Sequence, residues 1–260
     1  MSVPIDPKRI RRIAVTIDAF GLSTQALEQA VRLAKLMNAQ LEGIFIEDID
    51  LLQVAELPFL REVRTVSRSE GAINLVRIEQ EFRALARRAE RMLSQQAEQN
   101  DVSWSFRIWR GSIDADVLAA DVEADVFALT RLGAALSRSR AIATPSTTVS
   151  VLFSGSEASR RALETAVSLA TDPPKQLSVV IAADDDESMR RLQLAASHQL
   201  GEARHADFIR LHDGSLADLL EILRESHSAV LVVERESAFL QTPVLRQHLN
   251  SLDCLLMIVR

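Results

Sequence analysis

Apolar residues recur at Leu27, Ala30, Val31 and Ala34, and again at Leu163, Ala166, Val167 and Ala170. Spacings of three and four place each set on one side of a helix. The two predicted helices are copies. Residues 23–34, STQALEQAVRLA, and 159–170, SRRALETAVSLA, agree at most positions. Each follows a short run of β-branched and apolar residues that reads as a buried strand, RIAVTID at 12–18 and TVSVLFS at 148–154. The parallel continues. A second strand follows in each copy, LEGIFIE at 41–47 and LSVVIA at 177–182. Leu75, Ile78, Phe82, Leu85, Ala89 and Met92 then mark a long one-sided helix, with a shorter counterpart around 189–202. Next a strand meets a glycine turn, VSWSFRIWRGS at 102–112 and ADFIRLHDGS at 206–215. A third helix and a fourth strand close the common pattern, the strands being DVFALT at 125–130 and AVLVVE at 229–234. Strands and helices that alternate at this length predict a parallel sheet with helices on both faces, built of right-handed crossovers.

The copies end differently. The second continues into a short helix near 244–252 and a last strand, CLLMIV at 254–259. The first runs instead into RLGAALSRSRAIATPSTT at 131–148, a Ser-, Arg-, Thr- and Pro-rich stretch that reads as a linker. The first copy therefore lacks a fifth strand or has a very short one at 141–143. It also carries an insertion at 48–71, in which LLQVAELPFL, 51–60, reads as a short helix ending near Pro58. The expected organisation is two tandem α/β units, 1–140 and 141–260, paired about a pseudo-two-fold axis.

Composition narrows the partners. At 47% hydrophobic and 25% charged, the chain of 260 residues has material for a sizeable core, and disorder is not the reading for its bulk. A net charge of −6 argues against a general nucleic-acid binder, and 4% aromatics with no tyrosine leave few platforms for stacked bases. The single cysteine, Cys254, excludes an internal disulfide and a multi-cysteine metal site, and it sits where a core strand begins. No apolar run approaches membrane-spanning length, and the opening MSVPIDPKRIRR has no apolar stretch of a signal peptide behind it. A cytoplasmic, non-membrane protein is the expectation.

Residues 13–48, IAVTIDAFGLSTQALEQAVRLAKLMNAQLEGIFIED, and 110–131, RGSIDADVLAADVEADVFALTR, together with their second-copy counterparts, resemble the universal stress protein family in a tandem form. The resemblance implies the adenine nucleotide alpha hydrolase-like fold, a five-stranded parallel sheet between helices. It also implies dimerisation through the last strand and, in many members, ATP binding. The nucleotide-binding members carry an aspartate at the end of the first strand. They also carry a G-x-x-G loop after the fourth strand, followed nine residues later by Gly-Ser or Gly-Thr.

On that pattern Asp18 matches the aspartate and Ile46 the residue that flanks adenine. A plainer account makes Asp18 a helix-capping turn residue and Ile46 strand core. In TRLGAALSRSRAIAT, 130–144, Gly133 is the only glycine kept, Thr130 replaces its partner, and Ala143-Thr144 stand where Gly-Ser belongs. A β-carbon at such places crowds the nest of N–H groups that holds a phosphate. Arg131, Arg138 and Arg140 either offset part of this loss or are solvated linker charges. The second copy departs further. Ser154 replaces the aspartate, and its loop, ERESAFLQTP from residue 234, has no glycine and puts Glu234 and Glu236 at the mouth. No triphosphate is expected there. The resulting expectation is a non-catalytic stress-response or regulatory protein with no cofactor, or with weak ATP or AMP bound through Asp18, Ile46, Gly133 and Thr144. Its partners are its own second half, a second copy, or another protein. The alternative is a true ATP- or AMP-binding member that uses the first copy.

SGSEAS, 154–159, also loosely resembles the phosphate loop of the PP-loop ATP pyrophosphatases, with Ser156 and Ala158 in place of a glycine and an aspartate. Ser156 capping the following helix, with Glu157 in its first turn, accounts for the same residues. Walker and dinucleotide glycine motifs are absent. His198, His205 and His212 recur every seven residues, but a strand interrupts the helix that would align them. Asp184–Ser188, DDDES, reads as a turn and the acidic start of a helix.

Overall fold

The computed structural model describes residues 10–17, 24–48, 61–63, 70–72, 75–111, 124–129, 148–171, 175–201, 205–212, 215–241, 252 and 254–260. Among the described residues nine strands form one sheet. The first half of the chain supplies β1 (Arg12–Ile17), β2 (Gln40–Asp48), β5 (Trp104–Gly111) and β6 (Val126–Leu129). The second half supplies β7 (Thr148–Leu152), β8 (Gln176–Ala182), β9 (Asp207–Leu211), β10 (Ser228–Glu234) and β11 (Leu255–Val259). Their order is β5-β2-β1-β6-β11-β10-β7-β8-β9. Read inward from either edge, each half gives its third, second, first and fourth strand, as the repeat implies. The strands are parallel within each half, and the antiparallel β6–β11 pair reverses direction between them. A separate antiparallel pair, β3 (Arg61–Val63) and β4 (Glu70–Ala72), lies in the insertion and was not legible in its sequence. The helix expected at 51–60 falls outside the described residues, as does that at 244–252 except for Leu252.

Alternation along the strands sorts the core into two layers. Ile13 and Val15 of β1 face α1 (Thr24–Met37), while Ala14 faces the other side. Leu27, Ala30, Val31 and Ala34 of α1 are all buried, as the spacing predicts. α3 (Glu157–Leu169) buries Ala162, Leu163, Ala166 and Leu169 in the same layer. The long helix α2 (Leu75–Gln99) contributes Leu93 and Ala97 there, and packs Phe82, Ala86 and Ala89 on Ile17 and Phe45. α4 (Asp186–Leu200) contributes Ala196. On the opposite face α5 (Leu216–Glu225) and the short α6 (Ala238–Gln241) bury Leu219, Leu223, Phe239 and Leu240 against Val180, Leu231 and Val233.

Residues 141–143, where the first copy has at most a very short fifth strand, lie outside the described residues, but the strand edge it would cover is occupied. The edge of β6 away from β1 is taken by β11, in the register Leu256↔Leu129 to Val259↔Val126. β11 also pairs with β10, from Val230↔Leu255 to Glu234↔Val259. One C-terminal strand thus completes the second half and covers the first. Both its edges are used within the chain, so it offers none for a second copy. Every residue of β11 is buried. Cys254, just before it, is half-buried at the rim of a core cluster rather than within the strand.

The candidate site at the two sets of strand ends

In a parallel sheet of this kind ligands meet the carboxyl ends of the strands, so each half has one such edge. In the first half β1 ends at Ile17, and Asp18, Gly133 and Thr144 lie outside the described residues. Ile46 is the one of the four proposed site residues that the structure places. It sits in β2 opposite Trp109, 1% exposed, within the apolar cluster of Ile44, Phe127 and Leu129. That is the strand-core position of the plainer account.

The next residue, unmarked by any motif in the sequence, carries a charged pair. Glu47 is buried, and its Oε2 accepts from Nε of Arg110 at 2.6 Å across the β2–β5 ladder. Arg110 is 62% exposed in its side chain. The hydrogen bond to Glu47 and the charge of that carboxylate hold the guanidinium above its ordinary pKa. The signal was available in principle: both residues end strands that a parallel pairing sets side by side. Sequence alone does not give the register that joins them.

The equivalent edge of the second half is described from strand to helix. β7 leaves the sheet at Leu152, and Gly155 turns the chain with φ +84. A β-carbon there would lie 2.7 Å from Cδ2 of Leu192, which reaches over from α4. Ser156 is the N-cap of α3: its Oγ accepts from the backbone N–H of Ser159 at 2.8 Å, with Glu157 following in the first turn. The capping account of this stretch is what the structure contains.

The two serine hydroxyls point to one group. Ser154 Oγ donates to Glu234 Oε1 at 2.6 Å, and Ser156 Oγ donates to Glu234 Oε2. Ser154 Oγ in turn accepts from the backbone N–H of Ser156 at 3.3 Å. Each hydroxyl therefore passes an amide dipole on to the carboxylate. Glu234 is 7% exposed, at the end of a strand buried throughout. Glu236, read from sequence as its companion at the mouth, is exposed instead. Glu234 and Ser154, two separate losses in the sequence pattern, thus combine in one contact.

This arrangement leaves little for the PP-loop chemistry that SGSEAS suggested. A hydroxyl has one proton to give, and both serines give theirs to Glu234. Among the described residues no group of three His, Cys, Asp or Glu side chains is placed to hold a metal, so the seven-residue histidine spacing has no such outcome there. Asp185 caps α4 through Ser188, as the DDDES turn predicts. No helix among the described residues is long and apolar enough to cross a membrane.

No protein-family model matches the chain, and no curated protein matches it in sequence. Solved structures do match its fold. A universal stress protein from Archaeoglobus fulgidus superimposes with a TM-score of 0.56 at 11% identity, over 95% of this chain and 96% of the other. A putative universal stress protein from Pseudomonas aeruginosa gives 0.53 at 13% identity, over 97% and 94%. The chain has the universal stress protein fold.

Proposed function

We propose that this chain acts as a non-catalytic stress-response or regulatory protein of the universal stress protein type, built from two units, 1–140 and 141–260, in the cytoplasm. Adenine nucleotide recognition, where it occurs, belongs to the first unit and is weak. It would draw on Asp18, Ile46, Gly133 and Thr144.

The observation that carries this reading is the state of the Ser154–Ser156 turn. A phosphate-binding turn needs donors to spare. Here the two serine hydroxyls and the Ser156 and Ser159 amides are engaged with the protein itself, and a carboxylate occupies their focus. The universal stress protein fold supports the setting, and the loss of loop glycines in the first copy supports weak rather than tight binding.

Calorimetric titration of the purified protein with ATP and with AMP tests it. The expected result is no nucleotide carried through purification and a Kd no tighter than about 1 mM, with the residual signal lost in Asp18→Ala. Stoichiometric ATP in the purified protein, or nucleotide turnover that Asp18→Ala abolishes, would overturn the reading.

A further inference from the structure

We infer that Glu234 is a built-in occupant of the second turn, an autoinhibitory carboxylate that takes up the serine donors and closes the turn to anions from solution. The inference deepens the proposed function and rests on its reading of the second unit.

Burying a carboxylate is costly unless its charge is met. Among the described residues, the groups that meet the charge of Glu234 are hydroxyls, and no cation is paired with it. Those hydroxyls lie 80 and 78 residues away in sequence, on the turn that opens α3. Through them the carboxylate senses the N–H groups of Ser156 and Ser159, and with them the positive end of the α3 dipole. Two oxygens, each accepting one hydroxyl proton, are what a small free carboxylate would present at the same place.

The occupant is fixed. The Arg235 N–H donates to the Val259 carbonyl at 2.8 Å, and the Ser237 N–H to the Glu234 carbonyl at 3.1 Å. Glu234 therefore stands on backbone tied into the central sheet, opposite Val259 of β11. Leu192 lies over Gly155 on the α4 side of the turn. The contact is a permanent closure rather than a gate.

The test removes the carboxylate and supplies a free one. Glu234→Ala deprives two hydroxyls of their acceptor and should lower Tm. Sodium formate should then raise the Tm of Glu234→Ala in a dose-dependent, saturable way, compared with sodium chloride at equal ionic strength. Wild type and Glu234→Gln, whose side chains still fill the space, should show no formate-specific shift. The response should disappear when Ser154→Ala and Ser156→Ala are added to Glu234→Ala. If Glu234→Ala is too unstable to purify, refolding yield in formate against chloride replaces Tm, with formate expected to recover folded protein. A variant indifferent to formate, or a formate response that survives loss of both serines, would overturn the inference. Neither result bears on nucleotide binding by wild type, which tests the first unit separately.

Discussion

Arg32 of α1 donates from Nη2 to the carbonyl oxygen of Leu169, 2.6 Å away, at the last turn of α3. The bond joins the first half of the chain to the second through equivalent helices of the repeat. A helix C-terminus carries carbonyls without intrahelical partners and a partial negative charge, so a guanidinium satisfies both needs. Arg32→Ala should cost about 1.5–3 kcal/mol, the range for a hydrogen bond to a charged group. Arg32→Lys should recover only part of that, because a flexible ammonium replaces a planar fork. Urea denaturation of the three proteins measures the difference.

Close to Arg32 lies Lys175, whose Nζ donates to Gln29 Oε1 of α1 at 3.3 Å. Burial, and then the charge of Arg32, hold its pKa below the ordinary 10.5. Between the folded and unfolded pKa values the unfolded chain binds more protons, so stability rises with pH through that window. The chain has only three lysines, no tyrosine and one cysteine, so few groups obscure the alkaline range. Wild type should gain more stability than Lys175→Met as pH rises from 8.5 towards 10.5 (roughly the unfolded lysine value). Denaturation midpoints across that range check the sign. Equal gains would mean that Lys175 does not feel the junction.

β11 makes the two halves depend on one strand. Met257 at its centre is fully buried, and pairs with Ala128 on one side and Val232 on the other. Met257→Ala should cost about 2–5 kcal/mol, as large-to-small core changes do. Removing residues 255–260 should do more, because it bares the edges of β6 and β10 together. Proteolysis should then cut within both halves, whereas loss of an outer strand would loosen only one.

The sequence made the units of the fold legible but not their junction. Helical spacing at Leu27–Ala34 and Leu163–Ala170 identified the repeat because burial acts on neighbouring residues of one helix face. The partner of β6 was not readable. Its β-branched and apolar residues say only that it is buried, and nothing local distinguishes a fifth strand of its own from one supplied 127 positions later, as in the Leu129–Leu256 pairing. The candidate site divided in the same way. Ser156 as a helix cap follows from the residues beside it. Its contact with Glu234, and the Glu47–Arg110 pair, need a register between distant strands. Charge alone marked Glu234 as hostile to phosphate; only the fold shows it turned inward onto the two serines.

Asp185 tests a local rule against pH. Its Oδ1 accepts from the Ser188 N–H at 2.6 Å and its Oδ2 from the Ser188 hydroxyl at 3.0 Å. These two bonds, the backbone one first, hold its pKa below the ordinary 3.8. A depressed carboxylate stabilises fully above its unfolded pKa, and that contribution fades as pH falls through the folded value. Asp185→Asn keeps a capping oxygen and drops the titration. The stability gap between wild type and Asp185→Asn should therefore narrow as pH falls below about 4, and urea midpoints at pH 3 and pH 6 measure it.

Gly155 separates backbone strain from crowding. At φ +84 an alanine pays for a left-handed conformation, and its β-carbon would meet Leu192 Cδ2 at 2.7 Å. The contacted atom is the end of a flexible side chain, so Leu192 can yield at modest cost. The backbone conformation cannot, because Ser154 and Ser156 on either side are held to Glu234. Gly155→Ala should thus cost about 1–2 kcal/mol. Leu192→Ala is destabilising in its own right, so the comparison needs a double-mutant cycle. The coupling between Gly155→Ala and Leu192→Ala should be small beside the cost of Gly155→Ala alone. A coupling as large as that cost would instead make the packing of Leu192 the reason for glycine at this turn.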